Sequence, residues 1–389
     1  MGRTPFDLAD IVRQHRPALE AKDTLNAAQG RAFSAITLCR TAGLGGHALV
    51  CLECDHKEES YNSCRNRNCP KCQGLAQERW IAARAKAILP IPHFHGVFTL
   101  PAAFRPLARK YPREIYNAMF QSAGAAVLEM GQSRLGVTLG LTMVLHTWTR
   151  KLTFHPHVHL LISGGGLALD QSGFKQVQEN FLLHVKPLAA LFKGKMMAAL
   201  RELRDAGVIK MTDGAFGTLM ASLAGLDWNV YLKEAFRSAA FVLEYLGRYT
   251  HRIGISNSRL VKVTSDSITF RTKGKATETL KPVEFLRRFI QHVLPDRFKK
   301  IRHVGLYASP KALAQAKHHL GSLPVPEPPK PTWEKELQDL TGRDVTMCKD
   351  CGAPLYTRTI PMPGSFKKGR AKPDPKDFRC ANPIPRSLP

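Results

Sequence analysis

A chain of 389 residues, 44% hydrophobic and 23% charged, can bury two or three cores and is neither wholly disordered, collagen-like nor membrane-spanning. Its 57 Lys and Arg stand against 31 Asp and Glu, a net charge of +26 spread along the whole length. That surplus favours a polyanionic partner, nucleic acid ahead of membrane. The opening MGRTPFDLADIVRQHRP carries no apolar signal core, and no run nears the ~20 apolar residues of a bilayer span, so a cytoplasmic location is expected.

In chain order, the first 90 residues hold six of the nine cysteines and predict a small domain of two helices around a metal knuckle. Residues 94–100 read as a short strand closed by Pro101. Residues 103–130 have helical spacing, with Gly131 as the stop. Residues 136–148 and 152–163 predict a hairpin turning at 149–151, its second strand ended by Ser163-Gly164-Gly165-Gly166. Residues 175–212 and 235–249 read as helices, 260–264 and 267–272 as a second hairpin, and 283–293 as a helix closed by Pro295. Past Pro324 come a Pro-rich linker, one more CxxC and a Pro/Lys-rich tail expected to be partly disordered. Strands and helices without strict βαβ alternation predict an α+β fold with a partly antiparallel sheet.

Three groups of residues carry chemistry. Cys51-x2-Cys54 and Cys69-x2-Cys72 offer the four thiolates that a tetrahedral structural zinc takes, with His47, His56 and Cys64 near enough to substitute or build a second site. In such a zinc ribbon the basic residues Arg65, Arg67 and Lys71 would meet a DNA backbone. Cys348-x2-Cys351 is a lone knuckle followed only by Cys380, so its own segment cannot complete a four-cysteine site.

The second group is FHPHVHLLI at 154–162. On a strand, His157 and His159 share one face, joined by His155 if Pro156 does not interrupt, while Val158, Leu160 and Ile162 take the other. Two imidazoles on one face suit a divalent metal that draws a third ligand from elsewhere. The third is EYLGRYTHR at 244–252, where Tyr245 and Tyr249 stack at i and i+4 on a helix face. A phenolate can attack a phosphodiester, and Arg248 and Arg252 can hold the phosphate. Alone, each pattern has a plainer reading, as solvent-facing histidines or half-buried core tyrosines.

Together, GGHALVCLEC at 45–54, YNSCRNRNCPKCQ at 61–73, FTLP at 98–101, LHTW at 145–148, HPHVHLLISGGG at 155–166, EYLGRYTHR at 244–252 and FLRRFIQHVLP at 285–295 form an ordered set. Over roughly residues 10–310 the chain resembles the rolling-circle transposases of bacterial insertion sequences, the two-tyrosine branch of the HUH endonucleases (insertion-sequence family ninety-one). The resemblance implies the HUH fold, a central antiparallel sheet with the histidine pair on a middle strand and the tyrosines on a flanking helix. It implies His157 and His159 as ligands of a catalytic Mg or Mn ion and a third protein ligand that no motif identifies, for which His146 and then His155 are the candidates. It also implies Tyr249 and Tyr245 as nucleophiles and a Cys51/Cys54/Cys69/Cys72 zinc in the N-terminal domain. The expected division is a zinc-binding domain over 1–90, a nuclease domain over 91–310 with a helical insertion at about 175–235, and the linker, knuckle and tail over 311–389.

The implied activity is metal-dependent nicking and joining of single-stranded or melted DNA at element ends through a 5′-phosphotyrosine. No P-loop is present, so host helicase and replication proteins are expected partners, at the nucleoid. A plasmid replication initiator or relaxase would share this chemistry. A zinc-ribbon DNA-binding regulator would explain the cysteines and the charge without catalysis.

Overall fold

The computed structural model describes residues 5–72, 74–170, 172–177, 181–236, 247, 254–321, 332–363 and 379–380. The N-terminal segment opens with helix α1 (Leu8–Glu20), capped by the Asp7 carboxylate on the Ala9 N–H, and α2 (Ala27–Leu38), held by a reciprocal Asn26–Gln29 capping box. Hairpin β1 (Gly46–Cys51) and β2 (Lys57–Tyr61) follows, then α3 (Gly74–Ala87).

The centre of the molecule is an antiparallel sheet built from β3 (His93–Thr99), β4 (Val137–Trp148), β5 (Phe154–Ala168), β6 (Phe174–Gln176), β7 (Val230–Phe236) and β11 (Ile301–Gly305). Its order is β11-β4-β5-β3-β7, with β6 added to the far end of β5, so the histidine-bearing β5 lies in the middle. Between β3 and β4 run α4 (Arg105–Lys110) and α5 (Pro112–Met130). The single helix expected over 103–130 is broken at Tyr111 (φ −125°), because a residue that precedes a proline is pushed out of the helical region. Helices α6 (Val185–Asp205) and α7 (Asp213–Gly225) fall between β6 and β7. The helix expected from 175 starts only at 185, and residues 174–176 pair with β5 instead.

Strict alternation gives the sheet two different faces. Leu139, Leu141, Met143 and Leu145 of β4, with Val158, Leu160 and Ile162 of β5 and Phe94 and Phe98 of β3, pack under α5 and α6 as the main core. Phe98 meets Phe192 of α6 edge-on at 5.1 Å. On the opposite face Val144 and Leu161 pack with Trp80 and Ile88, so α3 and the residue just beyond its end cover that side. This second face carries the histidines.

The glycine run does not end β5. The strand continues to Ala168 through a bulge in which 163–165 oppose Gly140 alone. A Cβ on Gly164 or Gly165 would stand 2.6 Å from the carbonyl oxygen of Pro92 or Lys175, and one on Gly166 would collide with that of Thr138. The missing side chains admit the protein's own neighbouring strands.

A second core joins distant parts of the chain. Hairpin strands β8 (Leu260–Val263) and β9 (Ile268–Arg271), a third strand β10 (Thr277–Leu280), and helix α8 (Pro282–Ile290) pack on α1 and α2. Phe33 of α2 stacks on Phe289 of α8 at 6.4 Å. After β11 come α9 (Pro310–His319), α10 (Trp333–Thr341), β12 (Leu355–Ile360) and the two-residue strand β13 (Arg379–Cys380). β12 returns to pair antiparallel with β1, Gly46 opposite Ile360 and Cys51 opposite Leu355.

Candidate functional site

His146, His157 and His159 converge on the second face of the central sheet. His146 and His157 are cross-strand partners on β4 and β5, and His159 lies two residues further along β5. One ring nitrogen of each lies within 4.8 Å of the others. His155 is not part of this group. Its carbonyl instead accepts a 2.7 Å hydrogen bond from His157 Nδ1, which leaves the Nε2 lone pair of that ring for a metal.

His95, on β3, is a member of the site that the sequence reading did not single out. Its Nε2 lies 2.9 Å from His159 Nδ1, and the two rings stack at 5.2 Å. With His159 Nδ1 donating, the Nε2 of His159 carries the lone pair that a ligand needs. The sequence signal is faint. His95 precedes Val97 and Thr99 on the same face of β3, but only the register, with Val97 opposite His159, shows what lies alongside.

Burial keeps the rings of His157, His159 and His95 uncharged. It pushes His157 down to about 4 and His159 well below the usual imidazole value, with neighbouring His155 and His157 respectively adding to the effect. His95 is pushed down to about 4 by burial and then by Lys233. A metal ligand must be unprotonated, so His157 and His159 are ready at neutral pH. The donor set fits a divalent cation of the first transition row. Three nitrogens suit Mn²⁺ better than Mg²⁺, which prefers oxygen.

The cysteines form two groups whose membership differs from the sequence expectation. Cys51, Cys54, Cys69 and Cys72 do not meet at one point. Cys69 and Cys72 join Cys39 and Cys64, while Cys51 and Cys54 join Cys348 and Cys351. The two knuckles are neighbours in the chain but not in space, because β2 leads away from the first before the 62–72 loop builds the second against the end of α2. In the first group Cys39 Sγ is 3.1 Å and Cys64 Sγ 3.5 Å from Cys72 Sγ. Thiolates ~2.3 Å from a tetrahedral zinc stand about 3.8 Å apart, so the set fits that ion.

The residues expected to meet DNA divide. Arg65 is exposed. Arg67 donates to the Phe298 carbonyl at 2.7 Å, and Lys71 pairs with Asp7 at 2.7 Å, so both tie the zinc loop to the rest of the fold. Tyr245, Tyr249, Arg248 and Arg252 lie outside the described residues. Gly247, between the tyrosines, is described. It is buried, and Ile81 of α3 leaves no room for a Cβ there. Gly247 therefore packs on the helix that covers the histidine face.

The comparisons with known proteins put this sheet, its histidine cluster and its cysteine-rich N-terminus in a DNA-processing protein of the transposase class. Residues 140–314 match the family model described as "Putative transposase", and residues 11–100 match the model of a transposase zinc-binding domain. The chain is 36% identical over 375 residues to "Putative transposase y4qJ" of Sinorhizobium fredii, covering 90% of this chain and 94% of that one. It is 29% identical over 347 residues to the transposase for insertion sequence element IS801 of Pseudomonas savastanoi pv. phaseolicola, covering 83% and 82%. No solved structure matches. The chain belongs to the IS91 family of transposases and carries that family's N-terminal zinc-binding domain. DNA is its substrate. No described helix is long and apolar enough to cross a membrane.

Proposed function

We propose that this transposase nicks and rejoins single-stranded DNA at the ends of an insertion sequence through a covalent phosphotyrosine, the chemistry of rolling-circle transposition. The observation that carries the reading is the convergence of His146, His157 and His159 on the middle strands of an open antiparallel sheet. These three residues would hold Mg or Mn, and a bound divalent ion would polarise the scissile phosphate and neutralise its developing charge. His95 and the His155 carbonyl orient the rings of His159 and His157.

Tyr249 or Tyr245 is the nucleophile in this reading. Its phenolic oxygen bonds to phosphorus, the bond from phosphorus to the 3′ oxygen breaks, and the phenolic proton is balanced by the one gained at the new 3′-OH. The phosphotyrosine keeps the energy of the broken ester, so rejoining needs no nucleotide. Two tyrosines allow a second cut while the first adduct persists. Arg248 and Arg252 would hold phosphates, and exposed Arg65 would meet the backbone of flanking DNA. Duplex opening falls to host helicase and replication proteins, which places the protein at the nucleoid.

The test is a covalent-adduct assay with single-stranded oligonucleotides tiling the element ends, with and without Mn²⁺ or Mg²⁺. The expected band, stable to denaturation, is lost in His157→Ala and in at least one of Tyr249→Phe and Tyr245→Phe. Cleavage without an adduct would refute the tyrosine chemistry, and binding without cleavage would leave a DNA-binding regulator.

A further inference from the structure

The family's zinc-binding domain spans residues 11–100, which accounts for Cys39, Cys64, Cys69 and Cys72 but leaves Cys51 and Cys54 with only two thiols in that span. The structure supplies the other two from the far end of the chain. Cys51 Sγ lies 3.4 Å from Cys351 Sγ, and Cys54 Sγ 3.6 Å from Cys348 Sγ, across sequence separations of 300 and 294 residues. All four sulfurs fall within 4.8 Å of one another. In a cluster that tight the thiols would crowd without a shared cation, whereas the spacing is close to the ~3.8 Å edge of a ZnS4 tetrahedron.

The backbone agrees. The residue after each outer cysteine adopts a left-handed conformation, Asp55 at φ 57° and Gly352 at φ 77°. The first cysteine cluster has the same turn after Cys39 (Arg40, φ 58°) and Cys64 (Arg65, φ 51°). Non-glycine residues adopt that conformation only where the surroundings fix them there. The two knuckles also interlock through side chains, His56 Nδ1 lying 2.8 Å from Asp350 Oδ2.

The apolar support for this junction is slight. It consists of Cys51, Cys348 and Leu355, with Leu49 and Ala353 packed against them. Cys348 and Leu355 are the buried hydrophobic residues described between 332 and 363. A segment with so little core, joined to the fold by one strand ladder and half-buried ion pairs such as Arg343–Glu58, needs a further anchor.

We propose that Cys51, Cys54, Cys348 and Cys351 bind a second structural zinc ion, independent of the first, which clasps the C-terminal segment 342–363 onto the N-terminal hairpin. The inference is separate from the nicking reading and stands or falls without it. The clasp also bears on the site: α10, just upstream, pairs through Glu336 with Arg79 of α3, the helix covering the histidine face.

The test is zinc stoichiometry with amide hydrogen exchange on the full-length protein. The parent chain should hold two zinc ions, each with four sulfur neighbours by X-ray absorption. Cys348→Ser/Cys351→Ser should hold one, with exchange rising at 46–51 and 355–360 and protection kept over 137–168. Cys351→His, which keeps a ligand, should retain two, and Cys380→Ser should change nothing. One zinc in the parent chain, or the parental count retained in the double serine variant, would overturn the proposal. If the double variant does not fold, the parent stoichiometry and Cys351→His still decide.

Discussion

His95→Phe isolates the group that orients the metal site. Phenylalanine keeps a ring of similar size against His159, so the 5.2 Å stack and the packing of β3 survive. What disappears is the nitrogen 2.9 Å from His159 Nδ1. His159 is 7% exposed and His95 5%, so water does not readily replace the lost partner. Stranding a buried donor costs about 1–3 kcal/mol. Removing the outer partner of a metal-binding histidine elsewhere weakens metal affinity about 10–100-fold, which is roughly 1.4–2.7 kcal/mol. The two routes agree. We therefore expect the Mn²⁺ concentration for half-maximal adduct formation to rise by about 10–100-fold, with the rate at saturating Mn²⁺ near that of the parent. Calorimetric Mn²⁺ titration of the protein without DNA should show the same loss. An unchanged Mn²⁺ dependence would refute the orienting role. A loss that excess metal does not restore would show that His95 acts on DNA or on folding.

Other expectations follow from single features. Lys300 is 8% exposed, its Nζ has no hydrogen-bond partner among the described residues, and burial, then Arg67, push it down to about 7. Since the folded value lies below the unfolded one, its penalty is full below about pH 7 and fades as pH rises towards the ordinary value of 10.5. Lys300→Met should stabilise the fold by about 2–4 kcal/mol at pH 7 and by little near pH 10.5 in denaturant melts; a pH-independent gain would contradict the assignment. Gly166→Ala drives a methyl into the Thr138 carbonyl and should cost about 1–3 kcal/mol, so an unchanged melting temperature would argue against the close approach. Affinity for single-stranded DNA should fall steeply with salt, and Arg65→Ala should lower the log–log slope by about 0.7. A slope unchanged in Arg65→Ala would remove that residue from the DNA path.

The sequence made the histidine face legible because it obeys a period of two. His157 and His159 announce themselves on β5, and the hairpin then brings His146 of β4 opposite them. His95 was hidden because its meaning lies in the register of β3 against β5, which no local pattern encodes. The cysteine partition was hidden for a related reason. Spacing along the chain favours joining 51–54 with 69–72, yet each knuckle finds its partners through tertiary pairing, Cys39 at the end of α2 and Cys348 and Cys351 through β12. The unspent Cys39 and Cys64 and the incomplete C-terminal knuckle were the available clue. Eight cysteines make two sets of four. The glycine run misled in the opposite direction, since three consecutive glycines read as a break when they serve a bulged strand hemmed in by backbone.

The pairing of β1 with β12 sets a constraint on how the molecule can be made. β1 is among the first strands to leave the ribosome, but the strand that covers one of its edges ends at Ile360. At about 5–20 residues per second, the intervening ~300 residues take roughly 15–60 s to synthesise. For that interval the nascent chain carries an unpaired strand edge, a template for other chains. A message truncated or frameshifted before codon 355 would leave that edge open permanently, whatever the state of the histidine face.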